Sequence, residues 1–177
     1  METITNTNGA LSVFLVDDDI MFLKSLEHHL LQKLRHNFKI KTFPTGEACL
    51  KNMEEKPDIV LLDYFLNGQD QQAMNGMHVL EKIKSTHPDT TVIMLSGQDK
   101  MEVAIDTMRD GAFDYVVKND NVFIRAQNAI RNAVSALKMA REIKAYKRLL
   151  WILSLGIAII ITIACVIELF FSHQLYH

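Results

Sequence analysis

Short apolar runs alternate along the chain with longer stretches whose apolar residues recur at helical spacing. The runs are rich in β-branched residues, as is typical of strands buried on both faces of a sheet, and they occupy residues 13–16, 38–43, 59–62, 92–95 and 115–117, with the weakest pattern at 38–43. The amphipathic stretches predict helices at residues 21–34, 46–53, 76–86, 101–111 and 121 to about 148. Strands that alternate with helices form βαβ units. We therefore predict an α/β fold with a doubly wound, five-stranded parallel sheet.

A nearly continuous apolar segment follows this alternating region. Residues 149–171 contain a single charged residue, Glu168, and as a helix they would extend about 34 Å, against about 30 Å for a hydrocarbon core. A helix buried in a soluble core would keep a polar stripe, which this segment lacks. The pattern predicts one transmembrane helix, with Glu168 near its outer interface.

Charge is distributed unevenly between the two regions. Residues 1–120 carry 12 Lys/Arg and 19 Asp/Glu, whereas residues 121–177 carry 7 and 2. The acidic body argues against nucleic acid as a partner, because binding to phosphates needs a basic face. The tail after the apolar segment has no Lys or Arg, and the positive-inside rule then predicts that the body is cytoplasmic and the tail external. The basic residues before the segment are Lys138, Arg141, Lys144, Lys147 and Arg148.

Polar residues stand at the predicted carboxyl ends of four strands. Asp17 and Asp18 follow the first strand, Asp63 the third, Ser96 the fourth and Lys118 the fifth. Because this edge of an open α/β sheet carries the functional residues, we expect these side chains to meet. Clustered carboxylates favour a hard divalent cation, most plausibly Mg2+. A cation beside an ammonium and a hydroxyl suits a phosphoryl group, with one carboxylate as a candidate nucleophile.

Four segments resemble the receiver domain of two-component response regulators. They are VFLVDDD, DIVLLD, VIMLSG and GAFDYVVK, each at the end of a predicted strand and in the order that the family shows. The resemblance covers about residues 11–137 and implies the flavodoxin-like receiver fold. The chain would then consist of a flexible N-terminus (1–10), the receiver domain (11–137), a basic helical linker (138–148), the transmembrane helix (149–171) and a short tail (172–177). The membrane would be the bacterial cytoplasmic (inner) membrane, crossed once.

The resemblance assigns the acidic residues distinct roles. Asp63 would be the phosphoacceptor. Asp17 and Asp18, with Asp63 and the backbone carbonyl of Phe65, would hold Mg2+. Asp19 is interpreted differently, as the residue that caps the first helix, because a carboxylate there accepts hydrogen bonds from unpaired N–H groups.

The same resemblance implies roles for residues around the phosphoryl group. Ser96 would donate a hydrogen bond to it and Lys118 would pair with its charge. Tyr115 would be the aromatic residue that changes position in the switch. Phe65 and Gln98 occupy the positions that influence access of the hydrolytic water, and because Phe65 is apolar we expect slow self-dephosphorylation.

Two further features depart from the family pattern. The segment between Asp63 and Gly76 is longer than is usual and lacks proline, so its polar part, 67–72, is a candidate partner-recognition element. Lys118 is followed by Asn119, where the family commonly has a proline after a cis peptide bond. A cis bond without proline costs about 3–4 kcal/mol, so we expect Lys118 to be held differently.

These observations predict a membrane-tethered, single-domain response regulator, because only one helix fits between Lys118 and residue 149. A sensor histidine kinase or phosphotransfer protein would phosphorylate Asp63, and the output would be a protein contact with a membrane-proximal target. The chain would not be an enzyme acting on other substrates. The alternatives are a phosphoryl relay or sink, a non-phosphorylated receiver-like scaffold, a homodimer formed through the span, and a Mg2+-dependent hydrolase, for which the chain offers little room.

Overall fold

A computed structural model describes residues 10–34, 38–66, 74–98 and 100–175, except for the side chains of 144, 145, 149, 158 and 160–175. The strands are β1 (Leu11–Val16), β2 (Phe38–Phe43), β3 (Ile59–Asp63), β4 (Thr91–Ser96) and β5 (Asp114–Val117). The helices are α1 (Ile20–Lys33), α2 (Gly46–Lys51), α3 (Gly76–Thr86), α4 (Met101–Arg109) and α5 (Val122–Leu175), and a 3-10 turn, Met53–Glu55, follows α2. The predicted strands and the first four helices agree with these bounds to within two residues.

The five strands form one parallel sheet in the order β2-β1-β3-β4-β5. The register pairs Val13 with Ile59 and Ile59 with Thr91, which places β1 and β3 side by side near the centre. The chain reverses its direction of winding between these two strands, and open α/β sheets bind their ligands at such a point. The doubly wound parallel sheet predicted from the alternating pattern and the flavodoxin-like fold implied by the resemblance are both confirmed.

The core surrounds the central strands. All five residues of β3 are buried, and so are the last five residues of β4. On α1 the buried residues are Leu23, Leu26 and Leu30, which recur at helical spacing and explain why that stretch forms an amphipathic helix. Packing on both faces leaves the strand ends as the polar edge of the sheet.

The fifth helix is longer than predicted. The sequence predicts a helix from residue 121 to about 148, whose basic end leads towards a transmembrane helix at 149–171, and α5 runs through all of these residues, from Val122 to Leu175, without interruption. The change at residue 148 is one of composition alone. No proline or capping signal ends the helix there, and helical hydrogen bonding is local. The chain divides into two compact units, 1–133 and 134–177.

Within the second unit, large apolar side chains of α5 are exposed. Their exposed fractions range from 51% to 74%, at Leu150, Trp151, Ile152, Leu153, Leu155, Ile157 and Ile159. Over the part of the chain that the structure describes, no helix has an apolar stretch long enough to cross a membrane. The span predicted at 149–171 therefore has no structural support, and most of its side chains lie outside the described residues.

Candidate functional site

Three carboxylates meet at the carboxyl ends of β1 and β3. Asp17 directly follows β1 and Asp63 ends β3, and their exposed fractions are only 1% and 3%. Asp18 is partly exposed, and oxygens of the three side chains all lie within 4.8 Å of one another. The Asp17 backbone N–H donates to the Phe43 carbonyl (3.1 Å), so pairing with β2 continues to the first acidic residue. The structure thus brings together the carboxylates that the sequence singled out.

Asp19 organises the turn between β1 and α1. Its Oδ1 accepts hydrogen bonds from the N–H groups of Met21 and Phe22, both at 2.9 Å, and its own N–H donates to Asp17 Oδ1 (3.0 Å). The prediction that Asp19 caps the first helix is confirmed. The cap fixes the acidic turn, because one residue both starts α1 and supports the Asp17 carboxylate.

Lys118 joins two of the carboxylates. Its Nζ lies 2.6 Å from Asp17 Oδ2 and 2.9 Å from Asp63 Oδ1. Its backbone N–H donates to the Ser96 carbonyl (2.6 Å), which holds the end of β5 beside the end of β4. Among the described residues no peptide bond is cis, so the bond to Asn119 is trans, as expected without proline.

Ser96, Gln98 and Tyr115 form a connected group beside this cluster. Ser96 is fully buried, and its Oγ accepts a hydrogen bond from the Gln98 N–H (3.1 Å). The half-buried Tyr115 donates from its hydroxyl to the Gln98 carbonyl (2.8 Å). The backbone after β4 is therefore held both by the serine at the site and by the tyrosine on β5.

The residue two positions after Asp63 lies at the rim of the site. Phe65 is 41% exposed, and its ring contacts the edge of the Tyr64 ring at a centroid distance of 4.8 Å. Its backbone N–H donates a hydrogen bond to the Asp63 carboxylate and so stabilises the charged form.

The far end of the long segment after Asp63 is anchored at two points. The Met74 N–H donates to Glu47 Oε1 on α2 (2.8 Å), and the Gly76 N–H donates to the Tyr64 carbonyl (3.0 Å). A Cβ at Gly76 would lie 2.1 Å from the Asp63 carbonyl oxygen, so only glycine permits α3 to begin this close to β3. The predicted recognition element at 67–72 lies outside the described residues.

Burial governs the electrostatics of the cluster. It raises the pKa of Asp63 to about 6 and also raises that of Asp17, against the opposing effect of Lys118. Burial alone would lower the pKa of Lys118, but the charges of Asp63 and Asp17 outweigh it and raise that pKa. When all groups are ionised, the three carboxylates of Asp17, Asp18 and Asp63 face the single ammonium of Lys118, so the site carries a net negative charge.

The residues present fit a divalent cation. Asp17 Oδ2 and Asp63 Oδ1 are buried and pair with the Lys118 ammonium, and within the described residues no other group donates to either oxygen. Hard carboxylate oxygens with unsatisfied lone pairs are ligands that Mg2+ prefers. Asp17, Asp18 and Asp63 would supply them.

Sequence reasoning missed two contributors to this site. Phe22 places its ring 4.8 Å from Lys118 Nζ, and Glu47 anchors the segment that returns from Asp63. For Phe22 the available signal was an aromatic residue in the first turn of a helix that starts at the acidic cluster. For Glu47 the sequence carried no signal, because the contact joins residues 27 positions apart.

A doubly wound parallel sheet with a buried aspartate, two acidic neighbours, a serine and a lysine at its carboxyl edge defines a class of phosphoryl-accepting α/β domains. The model of the response regulator receiver domain matches residues 13–135. The chain belongs to this family. Receiver domains act as phosphoacceptors in two-component signalling and generally bind Mg2+ at their acidic pocket.

Relatives and solved structures agree with this assignment. The nitrogen assimilation regulatory protein NtrX of Azorhizobium caulinodans is 31% identical over 136 residues, which cover 76% of this chain and 29% of that protein. The luminescence regulatory protein LuxO of Vibrio campbellii is 32% identical over 93 residues, covering 50% and 19%. The chain spans less than a third of the length of these curated relatives.

Solved receiver domains superpose on most of the chain. The BeF3-activated DrrB receiver domain has a TM-score of 0.61 and 31% identity, and the match covers 72% of this chain and 99% of that one. The receiver domain of a LuxO repressor from Vibrio parahaemolyticus, at 21% identity, shares the fold with a TM-score of 0.67 over 76% and 98%.

Proposed function

We propose that this chain is a response regulator whose switch is phosphorylation of Asp63. The observation that carries the proposal is the position of Asp63, buried at the end of β3 and 2.9 Å from Lys118, with Asp17 and Asp18 within reach. The phosphoryl donor is a phosphohistidine of a sensor kinase or phosphotransfer protein, or a small phosphodonor. Of the other residues, Asp17 and Asp18 would hold the metal ion, and Lys118 and Ser96 would contact the transferred phosphoryl group.

In the reaction, an Asp63 carboxylate oxygen attacks phosphorus and forms an acyl phosphate. The bond from phosphorus to the histidine nitrogen breaks, and the imidazole leaves with the electron pair and takes up a proton. A pKa of about 6 keeps Asp63 mostly ionised, and hence nucleophilic, at pH 7. A bound Mg2+ would neutralise charge on the phosphoryl oxygens. Asp17 and Asp18 would hold that ion.

Lys118 and Ser96 respond to the new charge. The Lys118 ammonium already lies between Asp17 and Asp63, so it can pair with a phosphoryl oxygen after a small movement. Ser96 Oγ accepts from the Gln98 N–H, and its own hydrogen can donate to the phosphoryl group. A shift of Ser96 would carry Gln98 with it and so disturb the hydrogen bond from Tyr115. This chain of contacts supports Tyr115 as the switch residue that biases the region of α4 and β5 between two states.

The decisive experiment is phosphorylation of the full chain, in detergent, by a small phosphodonor, read by intact mass. We expect one added phosphoryl group that requires Mg2+ and is absent in Asp63→Asn. Asp106→Asn is the matched control, because this exposed carboxylate lies on α4 and pairs with Arg109. If the folded wild type acquires no adduct in Mg2+, the receiver-like scaffold becomes the better description.

We further propose that α5 tethers the receiver domain to the bacterial cytoplasmic membrane. Two features support this: the apolar composition of residues 149–171 and the exposed side chains from Leu150 to Ile159, whose burial in lipid would be favourable. The preceding basic residues would contact anionic headgroups at about 1 kcal/mol each. Tethering would raise the effective concentration near a membrane-bound kinase or target.

The tether is tested by fractionation of bacterial cells that make the full chain. We expect the protein in the membrane fraction and resistant to alkaline extraction, whereas a chain ending at residue 148 should be extracted. Release of the full chain by alkaline buffer would contradict a membrane-spanning helix. Oligomeric state measured on both chains tests the homodimer, because equal states would exclude self-association through the span.

A further inference from the structure

An aromatic ring from α1 lies against the Lys118 ammonium, beside its two carboxylate partners. Lys118 Nζ lies 4.8 Å from the centroid of the Phe22 ring. It also lies 2.6 Å from Asp17 Oδ2 and 2.9 Å from Asp63 Oδ1. The Lys118 side chain is only 21% exposed, so the attraction between ammonium and ring is little screened by water. Three contacts, from the residue after β1, the end of β3 and the first turn of α1, thus define the position of one charge.

Phe22 is itself held by the first turns of α5. Its ring stacks on that of Phe123 at 5.6 Å with 30° between the planes, and Phe123 stacks on His29 at 5.7 Å with 27°. His29 Nε2 is hydrogen-bonded to Gln127 Oε1 (3.0 Å). Residues 22 and 29 lie two turns apart on one face of α1, and residues 123 and 127 lie one turn apart on α5. The Phe22 ring is therefore packed between Lys118 on one element and Phe123 on another.

We propose that Phe22 is a positioning residue for Lys118. Its ring, supported by Phe123, holds the ammonium beside Asp63 and so lowers the cost of placing that charge on the transferred phosphoryl group. The inference rests on the proposed phosphorylation of Asp63, since it concerns the same lysine. It also accounts for how Lys118 is held although the residue that follows is Asn119 in a trans peptide. An ammonium that is already held at the site needs only a small movement during the reaction, and so little reorganisation.

The first test compares phosphorylation rates of the full chain carrying Phe22→Leu, Phe22→Trp or no change, with a small phosphodonor and Mg2+. We expect Phe22→Leu to be slower by roughly fivefold, which corresponds to the loss of one cation–π contact, and Phe22→Trp to keep the wild-type rate or exceed it. Phe113→Leu is the matched control, because this phenylalanine is exposed and directly precedes β5, and we expect no change. Equal rates for wild type and Phe22→Leu would overturn the inference.

A second measurement separates positioning from general packing. In a Lys118→Met background, adding Phe22→Leu should slow phosphorylation no further, because the ring acts through the ammonium. A further fivefold loss there would show a structural role and overturn the proposal. If Phe22→Leu does not fold, fluorination of the Phe22 ring keeps the shape and weakens its attraction for cations. The rate should then fall with each added fluorine, and no trend would count against positioning.

The proposed function and this inference fail in different ways. Absence of any Asp63 adduct in the folded wild type would reject phosphorylation itself. A normal wild-type rate that is insensitive to Phe22 rejects only the positioning role.

Discussion

At the scale of single residues, the site is a balance between burial and charge. Asp17 and Asp63 are placed in a buried position that disfavours their ionised forms, and Lys118 compensates only in part. Stability is therefore reduced at the place where the chain gathers its reactive groups, as is common for functional sites.

Replacing Asp63 by Asn should stabilise the metal-free protein. The pKa of Asp63 is about 6 in the folded state and near 4 when unfolded. The folded state therefore binds more protons between these values, and the free energy of unfolding falls as pH rises from about 4 to 6. At pH 7 the cost is about 2–3 kcal/mol, an upper estimate from the pKa difference. Thermal unfolding at several pH values in chelator, with Asp106→Asn as control, measures it.

If instead the free energy of unfolding of the wild type rose between about pH 4 and 6, and that of Asp63→Asn did not, burial could not be the dominant effect on the pKa of Asp63. Mg2+ provides a further check. Added to the wild type at pH 7 it should raise the melting temperature, because it binds the folded state, and it should have much less effect on Asp63→Asn.

Replacing Phe65 by Asn should shorten the lifetime of the phosphorylated form. Phe65 is 41% exposed at the rim of the site, and its side chain cannot hydrogen-bond a water molecule. An amide in its place can orient the attacking water, and we expect loss of the phosphoryl group to accelerate on the order of tenfold. Phe65→Leu, which stays apolar, should behave as wild type. The decay of the intact-mass adduct gives both rates, and a wild-type lifetime of only seconds would contradict the role assigned to Phe65.

At the scale of elements, the sequence predicts what recurs locally and misses what forms by contact over distance. Strand patterns and the residues after them placed Asp17, Asp63, Ser96 and Lys118 at one edge, because parallel strands bring their ends together. The row from Phe22 through Phe123 to His29 joins α1 and α5, which no periodicity reveals. The sequence predicts helix on both sides of residue 148, and the structure adds that α5 continues through this point.

The junction between β3 and α3 gives a prediction about elements. Gly76→Ala would bring a Cβ to 2.1 Å from the Asp63 carbonyl oxygen and 2.8 Å from Tyr64 Cα, both backbone atoms that cannot move aside easily. We expect a loss of about 2–4 kcal/mol in the free energy of unfolding, and slower phosphorylation because the clash displaces Asp63.

Gly97→Ala is the matched control for that junction. Gly97 follows Ser96 at the same edge of the sheet, yet a Cβ there would meet no atom within 4 Å. We expect its unfolding free energy to stay within about 0.5 kcal/mol of wild type. Chemical denaturation measures the free energy of unfolding of both variants. Equal losses in Gly76→Ala and Gly97→Ala would show that the close approach of backbone atoms at Gly76 is not what makes its substitution costly.

In the molecule as a whole, the residues proposed to accept the phosphoryl group and those proposed to bind the membrane lie in different parts of the chain. Every residue of the site lies in the first compact unit, residues 1–133, and the exposed apolar run of α5 lies in the second. A chain ending at residue 148 should therefore be phosphorylated by a small phosphodonor at the wild-type rate. Phosphotransfer from a membrane-bound sensor kinase should be slower for this shortened chain than for the full chain in the same vesicles, because only the full chain gains effective concentration. Equal rates from the kinase would show that α5 does not act as a tether, whereas a reduced rate from the small phosphodonor would show that α5 beyond residue 148 supports the site itself.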